Sequence, residues 1–291
     1  MANKKILVPV DFSDQSLIAL EQSYNLAREY KADITLLYVI EDNGFVSKFF
    51  SKQQDEEIKK QVEENLNKLA ADVVKKTGIA VNTMVARGSV YAKVVEVADM
   101  INALFVIMGA NGTINLKKKF IGSNVLRVVR EANVPVITIR GQQHRNGCKN
   151  IVLPLDLTKE TREKVNFALE IAKLGNGSAI RIVTVLFSTD EFVVNRLTRQ
   201  VQQVKSFIEK EGVECTAEII KAVKGSESLS ESIINYGNKV EGDLIIIMTQ
   251  QEVDFTQRFI GSTAQEIINN SDIPVLSIIP SMKRDIVFKP Y

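Results

Sequence analysis

The stretch MGANGTINLKKKFIGS, residues 108–123, sets Gly109 and Gly112 three positions apart and places Gly122-Ser123 beyond a polar, basic loop. Glycine lacks Cβ, so such a backbone can turn with φ > 0 and come close to a ligand. Successive N–H groups in a turn of this kind form an anion-binding nest. Gly122, Ser123 and Asn124 open a helical pattern continued by Val125, Val128, Val129 and Ala132. A helix start offers unpaired N–H donors and a dipole that favours negative charge, and Ser123 adds a hydroxyl. The chemistry within reach of these residues is phosphate binding. Lys117, Lys118 and Lys119 could meet terminal phosphates or belong to a solvated loop. The glycines alone would also suit a plain turn and cap. The spacing is neither G-x-x-x-x-G-K-[ST] nor G-x-G-x-x-G.

Other chemistries have little support. The single histidine, His144, lies in the polar stretch GQQHRNGCK, so Ser-His-Asp and Cys-His catalysis lack a base. Cys148 and Cys215 stand in different halves with no metal-ligand spacing, which argues against a zinc site and fits a reduced, cytoplasmic protein. Lys and Arg number 37 against 35 Asp and Glu, a balance that gives no electrostatic reason to expect nucleic acid. Apolar runs such as ALFVIMGA are too short to span a bilayer. The start MANKKILVPVDFS has no small-residue cleavage site, so no signal peptide is expected.

The elements that must position the loop are written twice. ILVPVDFSDQSLIAL at 6–20 returns as IVLPLDLTKETREKV at 151–165, ITLLYVI at 34–40 as IRIVTVL at 180–186, LFVIMG at 104–109 as LIIIMT at 244–249, and VPVITI at 134–139 as IPVLSI at 273–278. This predicts a domain over 1–141, a linker over 142–149, a second domain over 150–280 and a tail over 281–291. Strands are expected at 4–11, 33–40, 80–86, 103–109 and 134–140, apolar at nearly every position as strands buried on both faces are. Leu17, Leu20, Tyr24 and Ala27, then Ile58, Val62, Leu66, Leu69 and Val73, recur at helical spacing, as do Leu197, Val201, Val204 and Ile208 in the second half. Ser13 or Asp14 can cap the first helix. Alternating β and α predicts an α/β fold: two tandem, doubly wound parallel-sheet domains of five strands each. Phe45, Val46, Phe49 and Phe50 could form a lid, an oligomer contact or a packed helix extension.

In such a sheet, ligands bind beyond the carboxyl ends of the strands, where strand order reverses. With the first strand central, Asp11 at its end faces Met108 and Gly109 at the end of the fourth. The pattern Gly109-x2-Gly112-x9-Gly122-Ser123 resembles the ATP-binding signature of the universal stress protein family, G-x2-G-x9-G-[ST]. The ILVPVDFSDQS start and VPVITI end are similar to that family too, and the resemblance runs over nearly the whole chain as two domains. It implies an adenine nucleotide alpha hydrolase-like fold and ATP as ligand, with or without Mg²⁺. By motif position, Pro9, Val10 and Asp11 would line the adenosine end and Val39 would lie against adenine. Met108 and Gly109 would flank the ribose and α-phosphate. Asn111, Gly112, Gly122, Ser123 and Asn124 would take the phosphates. The family's last strands pair across dimer axes, which implies internal pairing of the two domains and admits a homodimer.

The second half departs from the motif. Aligning MTQQEVDFTQRFIGS on its methionine puts Thr249 at Gly109 and Glu252 at Gly112, with a loop one residue shorter. Thr resists φ > 0 and Glu252 would repel phosphate, while Asp156 and Gly261-Ser262 are kept. ATP is therefore expected in the N-terminal half alone, serving a regulatory role in stress response. No clear general base or water-positioning group is evident, although slow hydrolysis is compatible with the fold. The rival readings are three. One is an adenylate-forming or adenylyl-transfer enzyme, for which VDFSDQS lacks a glycine-rich pyrophosphate loop. Another is an interaction protein with a vestigial site. The third gives the second half an apolar or signalling ligand unrelated to ATP.

Overall fold

The computed structural model describes residues 3–41, 52–110, 122–141, 147–156, 161–174, 177–222, 225, 227–249 and 260–279. The chain divides into two compact units, Met1–His144 and Arg145–Tyr291. The first runs β1 (Lys4–Pro9), α1 (Asp14–Tyr30), β2 (Ala32–Ile40), α2 (Lys52–Thr77), β3 (Val81–Arg87), α3 (Val90–Met100), β4 (Phe105–Gly109), α4 (Ser123–Glu131) and β5 (Val136–Ile139). The second runs β6 (Asn150–Pro154), α5 (Thr161–Leu174), β7 (Ala179–Leu186), α6 (Glu191–Lys210), β8 (Glu214–Lys221), α7 (Leu229–Lys239), β9 (Leu244–Met248), α8 (Ser262–Asn270) and β10 (Val275–Ile278).

In the first unit the strands lie in the order β3-β2-β1-β4-β5, and in the second β8-β7-β6-β9-β10. All pairings within each unit are parallel. The helices joining β1 to β2 to β3 cross in one direction and those leading to β4 and β5 in the other. Right-handed crossovers then place the two sets on opposite faces. The central strands are buried on both faces: Ile6, Leu7 and Val8, and Ile151, Val152 and Leu153, have no exposed surface. Strand order reverses beside β1 and β6, as the position of the first strand of each repeat predicts.

Strand ends fall slightly inside the expected bounds. β1 stops at Pro9, and Asp11 lies two residues beyond it. The Val10 N–H still donates to the Leu37 carbonyl at 2.9 Å, so the chain leaves the sheet in register. Ser13, not Asp14, is the N-cap of α1, its side chain accepting from the Ser16 N–H, an interaction worth about 1 kcal/mol. Ile58 does not join the core and is 39% exposed. The 26 residues of α2 span about 39 Å at 1.5 Å each. The seven residues of β3 span about 23 Å, and Arg87 at the end of β3 reaches Asp55 in the first turn of α2 at 3.2 Å. The lid residues Phe45, Val46, Phe49 and Phe50 lie outside the described residues.

Gly109 ends β4 under the first turn of α1. A Cβ there would stand 2.7 Å from the Gln15 carbonyl oxygen and 3.1 Å from the Ser16 nitrogen. Both are backbone atoms and neither can swing away. The expectation that Gly109 turns with φ > 0 is overturned: it is a regular strand residue and has no place among the positive-φ glycines. It must be glycine because two backbones meet there. Gly122 is likewise extended, at φ −61°.

Two outcomes are expected. Gly109→Ala lowers stability by about 1–3 kcal/mol through overpacking. Gly261→Ser, where an added Cβ meets nothing within 4 Å at φ −59°, is neutral or stabilising by a few tenths of a kcal/mol; denaturant melts of both variants check this. Separately, Cys148 and Cys215 are both buried. Burial first, and the Glu209 charge second, push the Cys215 thiol up to about 12. Its thiolate fraction at pH 8 is then on the order of 10⁻⁴. Neither thiol should react with a disulfide reagent at pH 8 until the chain is unfolded.

Candidate functional site

The site is assembled where β1, β2 and β4 end and α1 and α4 begin. Leaving β1, the chain turns through Phe12, which holds a left-handed φ of 62°. That is an uncommon conformation for a bulky residue and marks a backbone position set by its surroundings. The Phe12 ring packs on Tyr38 of β2 with centroids 5.4 Å apart. The turn brings Asp11 back over the start of α1. Its Oδ1 accepts from the Ser13 N–H at 3.0 Å and from the Ser13 hydroxyl, and its N–H donates to Ser16 Oγ at 3.3 Å. Asp11 is exposed. One carboxylate oxygen is thus occupied in holding the turn, and the group is presented at the carboxyl end of the central strand.

The other wall comes from β4. Met108 is buried and Gly109 sits beneath Gln15 and Ser16. The next residue, Ala110, donates its N–H to the Ile139 carbonyl at 2.7 Å and accepts from the Gly122 N–H at 2.9 Å. That second bond ties the start of α4 directly to the end of β4. Gly122 is the N-cap and supplies no side-chain acceptor, so the first-turn N–H groups of α4 have no side-chain cap. Ser123 is exposed there and Asn124 half-buried. Pro9 and Val39 are half-buried and Val10 is buried. A continuous set of contacts therefore links Asp11, Ser16, Gly109, Ala110 and Gly122. Asn111, Gly112 and the three lysines lie outside the described residues.

Nothing in the sequence singles out Phe12, Gln15 or Ser16. Phe12 carries no local signal, being neither Gly, Asn nor Asp at a left-handed position. The contact of Gln15 and Ser16 with Gly109 is made across the fold.

The second unit corrects the alignment of the two loops. Gly109 pairs with Ile139 of β5, whereas Met248 pairs with Ile278 of β10. The Gly122 N–H donates to Ala110 and the Gly261 N–H to Thr249. Phe105 pairs with Ile6 and Leu244 with Ile151. All three frames agree: Met248 stands at the Gly109 position and Thr249 at that of Ala110. The loops are equally long, and the same count sets Gln251 rather than Glu252 opposite Gly112; neither lies among the described residues. The shared methionine misled by one position, and in a strand a one-residue slip turns every side chain to the other face. The two halves therefore differ through the bulk of a Met side chain where the first has none, not through a strained Thr. Thr249 is buried, with its hydroxyl donating to the Ile278 carbonyl at 3.3 Å.

Among the described residues, no helix is long and apolar enough to cross a membrane. Among them, too, no group of three His, Cys, Asp or Glu residues could hold a metal ion.

With this geometry in hand, the similarity to known proteins is specific. The model of the universal stress protein family matches residues 2–140 and again 147–278. The universal stress protein MJ0531 of Methanocaldococcus jannaschii is 29% identical over 140 residues, 47% of this chain and 82% of that protein. The universal stress protein YxiE of Bacillus subtilis is 26% identical over 149 residues, 47% of this chain and 98% of its own. A crystal structure of a universal stress protein from Archaeoglobus fulgidus matches in fold with a TM-score of 0.76 at 19% identity, over 96% of this chain and 97% of that one. The chain belongs to the universal stress protein family and carries the family's domain twice.

Proposed function

We propose that the N-terminal unit binds ATP in the crevice between Asp11 and Gly109, and that occupancy sets a conformation or partner in a stress response. One observation carries this reading: the start of α4 at Gly122-Ser123, which no side chain caps, is tied through Ala110 to the end of β4 at the carboxyl end of the reversing strands. A polyanion needs such N–H donors left for it. The G-x2-G-x9-G-S spacing of residues 109–123 supports the same ligand.

In this reading Asp11 anchors the ribose hydroxyls through the oxygen that Ser13 leaves open, and Pro9, Val10 and Val39 form the apolar side toward adenine. Met108 and Gly109 flank the ribose and α-phosphate. Ser123 and Asn124 receive phosphate oxygens together with Asn111 and Gly112. A Mg²⁺ would arrive on the phosphates, the described residues offering no metal cluster of their own. The same residues provide no evident general base, so binding, not turnover, is the proposed activity. Met248 puts a side chain in the second unit where Gly109 has none, and ATP is assigned to the first unit alone.

Protein denatured directly after purification should release about one adenine nucleotide per chain, read by ion-pair chromatography; two per chain would defeat the assignment to one unit. Gly112→Val should abolish ATP binding in calorimetry without unfolding the protein, its melting temperature matching that of the nucleotide-free unsubstituted chain. An unchanged affinity would show that the loop does not hold the phosphates.

A further inference from the structure

The second unit contains a cavity of about 310 Å³ at the carboxyl ends of β6, β7 and β9. That is the low end of the range for small-molecule sites. Its body is apolar, with Leu155, Val185, Leu197, Ile233, Met248 and Ile267 in the wall. Two changes from the first unit shape it. Met248 puts a side chain where Gly109 has none and the first turn of α1 rests on β4. Lys164 stands where the first unit has Ala19, which is wholly buried.

Lys164 is the informative residue. It lines the cavity, is only 6% exposed, and donates from Nζ to the Pro154 carbonyl oxygen at 2.8 Å. A buried ammonium must be paired and hydrogen-bonded, and Lys164 gives one of its hydrogen bonds to Pro154; the alanine at the equivalent position of the first unit brings no charge to that place. The same wall holds Gly261 and Ser262 at the start of α8, where no side chain caps the helix. Both features favour negative charge. The exposed Asp156 also lines the cavity and disfavours a highly charged ligand. Apolar side chains continue outward at the same end of the sheet: Leu229 in the wall, with Phe187 and Phe192 both exposed just after β7.

We infer that this cavity binds a small apolar-bodied carboxylate, its single negative charge held by Lys164 and its hydrocarbon part by the Leu, Val, Ile and Met wall. The two units would then take different ligands: a polyanion on bare backbone in one, an amphipathic monoanion on side chains in the other.

The test uses the full chain, already saturated with ATP. Calorimetric titration with octanoate, below its micellar concentration, should show one site per chain. Octanol, with the same body and no charge, should bind at least tenfold more weakly. Lys164→Met should lower octanoate affinity at least tenfold and leave octanol and ATP binding unchanged, and Ile267→Trp should fill the cavity and remove octanoate binding. On the unsubstituted protein, methyl NMR should show octanoate shifting the Leu197 and Ile267 methyl signals, which keeps the test decisive should a variant fail to fold. No octanoate binding at millimolar concentration, equal binding of octanol, displacement of octanoate by further ATP, or methyl shifts confined to the first unit would each overturn the inference.

Discussion

The approach of the Gln15 carbonyl to the Cα of Gly109 is the constraint on which the first unit's site depends. At 2.7 Å from where a Cβ would be, the first turn of α1 can rest on β4 only if that residue is glycine. Once it rests there, the rest of the corner has little freedom. Ser16 is held beside Asp11, Asp11 fixes Ser13, and Ser13 caps the helix. From the other side, Ala110 fastens the start of α4. Five short contacts, mostly to backbone, thus join two helix starts and two strand ends. None requires a charged pair in the core.

The second unit shows what happens when that constraint is released. Its sheet order and parallel pairing are those of the first unit, and its central strand is as deeply buried. Met248 stands in place of the glycine and, with the buried Lys164, lines a cavity. The change is tolerated because the core rests on the strands, whose ladder is indifferent to what stands at their carboxyl ends. Duplication therefore leaves the fold intact while the corners at the carboxyl ends of the strands differ.

Much of this was legible in the residues. The four repeated apolar runs specify parallel strands buried on both faces, and their order specifies the doubly wound topology. The glycine spacing pointed to the family whose model matches both halves. Where reading failed, the reasons are physical. Met108 and Met248 invite an alignment that is wrong by one residue, because two apolar strands slide past each other in sequence with no local penalty; only pairing partners settle the frame. Ile58 fits a helical stripe yet is 39% exposed, because spacing along a helix does not say what packs against it. Phe12 is left-handed without being a residue type that announces it.

The sequence by itself determined the family's double domain, the strand order and the position of the glycine loop, because hydrophobic period and motif spacing are local properties of the chain. The tertiary structure decided why Gly109 must be glycine, which residue replaces it in the second half, and what Lys164 faces. Those are matters of which atoms meet across the sheet, and a distance between residues far apart in the chain is set by packing alone.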